Sequence, residues 1–346
     1  MFSQIKNQID QHLHKFCRDI DNVYGLGKIS PILSSSIKEF IVRDGKRVRP
    51  ALMVIGYLGF AKKPAPGLYN SAISIELLHD FMLVHDDIID KSLTRRGLPS
   101  MHSNFNALIK NTHGLKFSGQ DMGIVAGDVL YSLALKAFMT IKVEPSLKEK
   151  ALSRFIDAAF YTGCGEFIEL INDTKSLPEV GLEDIYKVYD YKTAYYTFAC
   201  PLACGAILAG ASKKDVDALF EYGLALGRAF QINDDILGLY GNQKKIGKSP
   251  LTDLQESKKT LLIWHAYNHS GALDKKYILK VMTKKKVITG DLNRIRQIVK
   301  NSGSLDYARN EIEKLDKKAK HLVSSSQIKD KYKKTLIDLP KTILTA

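Results

Sequence analysis

The stretch LLHDFMLVHDDIID, residues 77–90, decides the fold class, because it places acidic residues directly after a run of apolar ones. Its spacing predicts a helix over residues 69–92. Asp86 and Asp90 are four residues apart, so they lie on one face of that helix, with Asp87 beside them. Aspartate is a poor helix former in mid-helix, and this favours a functional cluster. A solvated acidic face is the alternative interpretation.

A second acidic pair, Asp234 and Asp235, lies in a strongly apolar helix predicted over residues 213–239. Carboxylates packed this closely repel one another unless a cation neutralises them. Mg²⁺ prefers oxygen ligands and commonly bridges one or two carboxylates to substrate phosphates. Two such helices facing each other would hold a diphosphate through several metal ions. Capping acids at a helix end are the alternative for the second pair.

Helical periodicity dominates the rest of the chain, and strand signals are almost absent. With no internal repeat and no linker, the sequence predicts one all-α domain over residues 1–346, a large helical bundle. The other predicted helices cover residues 3–22, 30–43, 48–60, 103–111, 122–140, 147–172, 182–190, 192–211 and 256–269, with several more in the tail.

The net charge of +14 is unevenly distributed along the chain. Residues 271–346 hold 19 Lys and Arg against 8 Asp and Glu, which gives +11. These cations alternate with apolar residues, and neither an aromatic stacking platform nor a zinc-ligand spacing accompanies them. The pattern favours solvated helix faces, and we expect no nucleic-acid partner.

Composition also bears on location. The segment 194–211 has no charged residue, but 18 residues is the lower limit for a membrane span, and the segment contains Thr, Pro and Gly. It predicts a helix buried on all sides, and we expect no transmembrane segment. The four cysteines form no C-x-x-C pair and indicate small core residues in a reducing cytoplasm. These are Cys17, Cys164, Cys200 and Cys204.

Basic residues complement the acidic ones. The loop GKRVRP, residues 45–50, places three cations before a helix that begins with proline, and Arg95-Arg96-Gly97 closely follows the first acidic cluster. Arginine offers a planar fork for diphosphate oxygens, whereas lysine acts as a movable point charge. Further cations stand at Lys192, Lys248 and Lys258. Each of these cations alone is typical of a protein surface. Their order along the chain and their occurrence together with the acidic motifs indicate a binding site.

With these motifs in this order, the sequence resembles the trans-isoprenyl diphosphate synthases, or polyprenyl synthetases, from about Gly45 to Thr260. Archaeal-type geranylgeranyl diphosphate synthases are the most similar members. The resemblance implies a helical bundle of the isoprenoid synthase type around a central apolar cavity. It also implies a homodimer, two or three Mg²⁺ ions, and isopentenyl diphosphate and an allylic diphosphate as substrates.

The resemblance further implies roles for individual residues. Asp86, Asp90 and Asp234 would ligate Mg²⁺ and, with Lys192, would carry catalysis. Isopentenyl diphosphate would be bound by Lys46, Arg49, His79 and Arg96. The allylic diphosphate would be bound by Arg95, Lys192, Thr193, Gln231, Lys248 and Lys258.

The sequence departs from the family pattern at a few positions. The second acidic motif ends in Gly238, where many members carry a third aspartate. Glu166 and Glu169 stand where the family often has Gln and Asp, so the roles of these two and of Asp235 stay open. Both acidic motifs and the cation set are intact, which argues against a non-catalytic partner subunit. A terpene cyclase or head-to-head condensing enzyme would not need residues 45–50 or Arg96.

Product length is predicted from Phe81 and Met82. Phe81 lies five residues before Asp86, about 7.5 Å further along the helix. An aromatic residue there, with two residues between the first-motif aspartates, resembles archaeal-type geranylgeranyl synthases and predicts a C20 product. A C15 product is the alternative, because Met82 and Leu78 could shorten the cavity. Phe81 could also be ordinary core packing.

Overall fold

The computed structural model describes residues 1–241 and 251–344, and within them the chain is almost entirely helical, as predicted. The first helices are α1 Phe2–Tyr24, α2 Leu26–Ile29, α3 Pro31–Ile41, α4 Val48–Phe60 and α5 Leu68–Ile89. Two short strands follow, β1 Thr94–Arg95 and β2 Leu98–Pro99, and then α6 Met101–Ile109, α7 Gly119–Phe138 and α8 Pro145–Thr174.

A 3₁₀ turn, Leu177–Glu179, leads into a continuous helical stretch made of α9 Leu182–Val188, a π-helix Tyr189–Ala199 and α10 Cys200–Leu208. The last helices are α11 Lys213–Tyr240, α12 Thr252–Gln255, α13 Leu261–His269, α14 Ala272–Met282, α15 Thr289–Asn301, α16 Ser304–Ser325 and α17 Asp330–Ile343. No helix of the described residues has the length and apolar character that a membrane crossing needs.

Side chains at the helix starts explain several boundaries. The hydroxyl of Ser30 accepts a hydrogen bond from the Leu33 N–H at 3.3 Å, and Pro31 occupies the first turn of α3. Thr260 caps α13 in the same way. The sequence predicted a helix from residue 256, but this cap delays its start to Leu261.

The chain divides into two compact units. The first contains residues 1–155 and 204–210, and its central helix α5 packs against α1, α4 and α7. The second contains residues 156–203 and 211–346, and there α11 packs against α16 and the π-helix. The interpretation of residues 1–346 as one domain stays a prediction.

The π-helix corrects the sequence analysis, which predicted two helices separated at residue 191. We attribute it to Pro201, which has no N–H to donate and whose ring crowds the carbonyl of Thr197, four residues earlier. The wider turns of a π-helix relieve that conflict without ending the helix. As predicted, the segment is largely buried, with residues 194–206 inside the protein.

The two strands are a second correction, because strand signals are almost absent from the sequence. Thr94 pairs with Pro99 and Arg95 with Leu98 in antiparallel register. The two residues between the strands both have positive φ, 56° at Arg96 and 76° at Gly97. This is the φ pattern of a type I′ turn. Asn or Asp usually precedes the glycine in such turns, so Arg96 concealed the hairpin.

Candidate active site

The first acidic cluster lies at the C-terminal end of α5, where Asp86 and Asp87 differ in exposure. The Asp86 side chain is 23% exposed, whereas that of Asp87 is fully buried. Arg95 of β1 binds both, with its Nη2 3.0 Å from Asp86 Oδ2 and its Nε 2.7 Å from Asp87 Oδ1. Asp90 caps the helix. The helical spacing thus leaves Asp86 and Asp90 at the edge of the cluster and turns Asp87 inward.

The electrostatics of this cluster follow from its burial. Burial raises the pKa of Asp87, and the hydrogen bond from Arg95 offsets that only in part. Burial alone would lower the pKa of Arg95, but its hydrogen bond to Asp87 and the nearby carboxylates raise it overall. Arg95 therefore stays charged and compensates two carboxylates.

The residues predicted to bind isopentenyl diphosphate all belong to the first unit. His79 of α5 is buried, and its pKa is lowered well below the usual value by burial and by the positive charges of Arg49 and Arg96. The imidazole is therefore neutral at physiological pH. Lys46 is exposed in the loop before α4. The structure thus brings His79, Arg49 and Arg96 within electrostatic reach of one another.

Two residues that the sequence analysis did not select organise this region. Arg47 is buried, and its Nη1 lies 2.7 Å from Oε1 of Glu76, which is also buried. Its Nε donates to Asp10 at 2.9 Å. Glu76 interrupts an apolar run in α5, and a charged residue at such a position was the available signal.

Apart from Arg95, which belongs to the first unit, the residues predicted for the allylic site belong to the second unit. Lys192 forms ion pairs with Glu166, at 2.7 Å, and with Glu169, which gives both glutamates a structural partner. The Thr193 hydroxyl donates to Gln231 Oε1 at 3.0 Å. Lys192 and Thr193 lie on the π-helix, so this irregular element positions them.

The second acidic motif also separates into an exposed and a buried residue. Asp234 is exposed, whereas Asp235 is buried and accepts hydrogen bonds from the Tyr189 hydroxyl and, at 3.3 Å, from Gln231 Nε2. The Tyr189 hydroxyl in turn accepts from the Leu261 N–H at 2.9 Å. Asp235 therefore connects α11 to the π-helix and, through Tyr189, to the start of α13. Sequence reasoning missed Tyr189.

Glycines allow the helices of this unit to approach closely. A Cβ at Gly165 of α8 would lie 2.3 Å from the Lys192 backbone N, and one at Gly227 of α11 would lie 2.4 Å from Ala194 Cα. Both distances are too short for any side chain. These contacts fix where Lys192 stands relative to α8.

Two predicted cations of the allylic site remain, Lys258 and Lys248. Lys258 forms an ion pair with Glu256 at 3.2 Å, and its neighbour Lys259 donates to Asp173. Burial raises the pKa of Asp173, and the charge of Lys259 opposes that shift. Lys248 lies outside the described residues. The predicted opposition of Asp86 and Asp90 to Asp234 joins residues of different units and stays a prediction.

Phe81 and Met82 are both half-buried. The Phe81 ring meets His85 edge-on, with centroids 4.7 Å apart, and lies 5.2 Å from the ring of Tyr131 on α7. Gly127 leaves room for His85, because a Cβ there would lie 2.3 Å from His85 Nε2. An aromatic cluster thus lies one turn before the acidic residues.

Comparison with known proteins identifies the family. Residues 30–299 match the family model described as polyprenyl synthetase. The geranylgeranyl diphosphate synthase of Saccharolobus solfataricus is 34% identical over 268 residues, 76% of this chain and 75% of that protein. The geranylfarnesyl diphosphate synthase of Aeropyrum pernix is 31% identical over 312 residues, 89% of this chain and 92% of that protein.

The fold has counterparts among solved structures. Geranylgeranyl pyrophosphate synthase from Corynebacterium glutamicum, complexed with isoprenyl diphosphate and magnesium, superposes with a TM-score of 0.89 at 24% identity, covering 99% of each chain. That similarity shows the fold, and the family match and the two relatives show the family that the motifs predicted. The chain belongs to the polyprenyl synthetase family.

Proposed function

We propose that the protein is a short-chain (E)-prenyl diphosphate synthase that condenses isopentenyl diphosphate with allylic diphosphates and releases diphosphate. The observation that carries the proposal is the arrangement at the end of α5. There Asp86 and Asp90 stand at the edge of the cluster, and Arg95 is held beside them by Asp86 and Asp87. Negative charge for metal ions and positive charge for phosphate oxygens thus lie side by side at the C-terminal end of α5.

We propose Mg²⁺ as the metal, in two or three ions ligated by Asp86, Asp90 and Asp234. Within the described residues no three His, Cys, Asp or Glu side chains form a ready-made metal site. Mg²⁺ usually takes one or two carboxylates and completes its shell with substrate phosphates and water. When bound, the ions would neutralise charge on the departing diphosphate.

In this proposal, different cations bind the two substrates. Arg95, Lys192 and Lys258 hold the allylic diphosphate, and Thr193 and Gln231 add hydrogen bonds, with Lys248 assigned from the sequence alone. Lys46, Arg49 and Arg96 hold isopentenyl diphosphate. Neutral His79 adds a hydrogen bond there without adding charge. Preorganised donors of this kind stabilise the charge that develops as the allylic carbon–oxygen bond breaks.

The reaction then forms one carbon–carbon bond. The double bond of isopentenyl diphosphate attacks the allylic cation, and a proton is lost to the departing diphosphate. The wall around the cation must exclude water, which would otherwise capture it. Phe81 and Met82 would limit the length of the tail, and C20 is the proposed main product. The names of the two curated relatives, with C20 and C25 products, support a chain of about this length.

We also propose a homodimer. Helix α8 exposes an apolar stripe at helical spacing, with Ile156, Phe160, Phe167 and Ile171 exposed by 43, 63, 65 and 44%. Apolar surface of this kind marks an interaction site more often than a solvated face. A dimer in the cytoplasm is expected, and light scattering that detects only monomer at micromolar concentration would contradict it.

The test is to incubate the protein with Mg²⁺, isopentenyl diphosphate and the C5, C10 or C15 allylic diphosphate, and to measure product length by chromatography. We expect consumption of both substrates and a C20 product from each starter. A terpene cyclase would consume the allylic substrate without isopentenyl diphosphate. A non-catalytic partner subunit would turn over neither.

A further inference from the structure

Two of the basic residues in the first unit have a backbone conformation that residues other than glycine rarely adopt. Arg47 has φ 51° and Arg96 has φ 56°, both in the left-handed region. Crowding by the Cβ disfavours this conformation, so the surrounding structure has to hold it in place. Arg47 precedes α4 in the loop that also carries Lys46, and Arg96 is at the tip of the hairpin.

Glu76 of α5 is the carboxylate that both arginines share. Its Oε1 lies 2.7 Å from Arg47 Nη1 and 3.9 Å from Arg96 Nη2. The Glu76 and Arg47 side chains are each only 3% exposed. A buried pair of this kind is costly to break, because removing one partner leaves the other charge uncompensated.

The carbonyl of Arg43 is a second shared acceptor. It receives Arg47 Nη2 at 2.6 Å and Arg96 Nη1 at 3.4 Å. The guanidinium of Arg43 itself donates to the Pro99 carbonyl of β2 at 2.9 Å. The loop before α4 and the hairpin after α5 are therefore joined to each other, and Glu76 joins both to the helix that carries His79.

We propose that Glu76 is a positioning residue for isopentenyl diphosphate. It acts through Arg96 and through the Arg47 loop that presents Lys46 and Arg49, and it lies one helical turn before His79 on the same face. Its carboxylate does not need to touch the substrate. This inference rests on the proposed function, because it assigns Glu76 to one of the two substrates and not to the other.

The test replaces Glu76 by Gln, which keeps the size and one acceptor oxygen but removes the charge. Equilibrium dissociation constants for isopentenyl diphosphate and for an allylic diphosphate are measured by calorimetry, together with KM for both. Hydrogen bonds to charged groups are strong enough that we expect about a tenfold weaker binding of isopentenyl diphosphate. Allylic binding should change by less than about twofold, since Arg95, Lys192 and Thr193 are held by other partners.

Asp21→Asn is the control, because Asp21 is also an ion-paired carboxylate of the first unit and its partner is Lys38. It should leave both substrates unaffected. If Glu76→Gln fails to fold, Glu76→Asp keeps the charge but shortens the reach, and a smaller loss confined to isopentenyl diphosphate is then expected. Equal weakening of both substrates, or of neither, would overturn the inference. A wild-type protein that does not consume isopentenyl diphosphate would instead refute the proposed function.

Discussion

The contact between Gly165 and Lys192 leads to a prediction whose size follows from the geometry. Gly165→Ala would place a Cβ 2.3 Å from the Lys192 backbone N and 2.8 Å from its Cα. The obstacle is backbone, so no side chain can rotate away, and α8 or the π-helix has to move. Overpacking of this kind costs about 1–3 kcal/mol, and a backbone obstacle favours the upper end.

Gly163→Ala provides the comparison on the same helix, since no atom of the same chain lies within 4 Å of a Cβ there. Gly163 lies on the apolar stripe of α8 that we assign to the dimer interface, so both variants are compared at a concentration at which light scattering shows the same oligomeric state. Both substitutions gain about 1 kcal/mol in helix propensity. That gain cancels between them, so the difference in their free energies of unfolding isolates the steric cost, about 3 kcal/mol. Chemical denaturation followed by circular dichroism measures this difference.

Gly165→Ala, the less stable variant, should also have the lower turnover. Displacing Lys192 from its place would lower turnover by about tenfold or more, because misplacement by ~1 Å can cost about a hundredfold. Gly163→Ala should retain wild-type turnover. If both variants were equally stabilised and equally active, the close approach of α8 to the π-helix would be wrong.

Three further predictions concern the first unit. Asp86→Ala or Asp90→Ala should lower turnover by several orders of magnitude with unchanged circular dichroism, and excess chelator should abolish wild-type activity; near-normal rates would refute the metal proposal. Phe81→Ala should yield longer products by chromatography, whereas Phe138→Ala, which empties a fully buried site, should cost about 3–5 kcal/mol of stability without changing product length. The pKa of His79 is lowered in the folded state, so below pH 6.5, the ordinary value of this pKa, the unfolded state binds more protons than the folded state. The free energy of unfolding therefore falls as the pH falls below that value. His79→Gln should therefore reduce the loss of denaturation midpoint between pH 7 and pH 5, and an unchanged loss would show that His79 is not buried neutral.

The sequence was sufficient for features that depend on local spacing. The apolar run with acidic residues at its end predicts helix α5 at residues 69–92, and the structure has this helix at Leu68–Ile89. The same spacing placed Asp86 and Asp90 on one face. The family motifs, which are also local, led to the correct family.

The missed features depend on pairs that are far apart in sequence. Arg47 and Glu76 are 29 residues apart, and Tyr189 and Asp235 are 46 residues apart, so no periodicity within a helix brings them together. Each pair forms only when the two segments that carry its residues pack together. The sequence therefore named residues for the substrates but not the buried partners that hold those residues in place.

The π-helix has a consequence for how this chain tolerates changes in length. Each residue of an α-helix turns the chain by about 100°, and the wider turns of a π-helix turn it by less. The segment Tyr189–Ala199 therefore accommodates an extra residue without advancing the helix by a further turn. A one-residue deletion between Thr193 and Ala199 would let the segment become α-helical while Lys192 and Thr193 kept nearly the same direction. It should be tolerated far better than a one-residue deletion within α10, where residues 200–206 are buried and one side of the helix would rotate by about 100°.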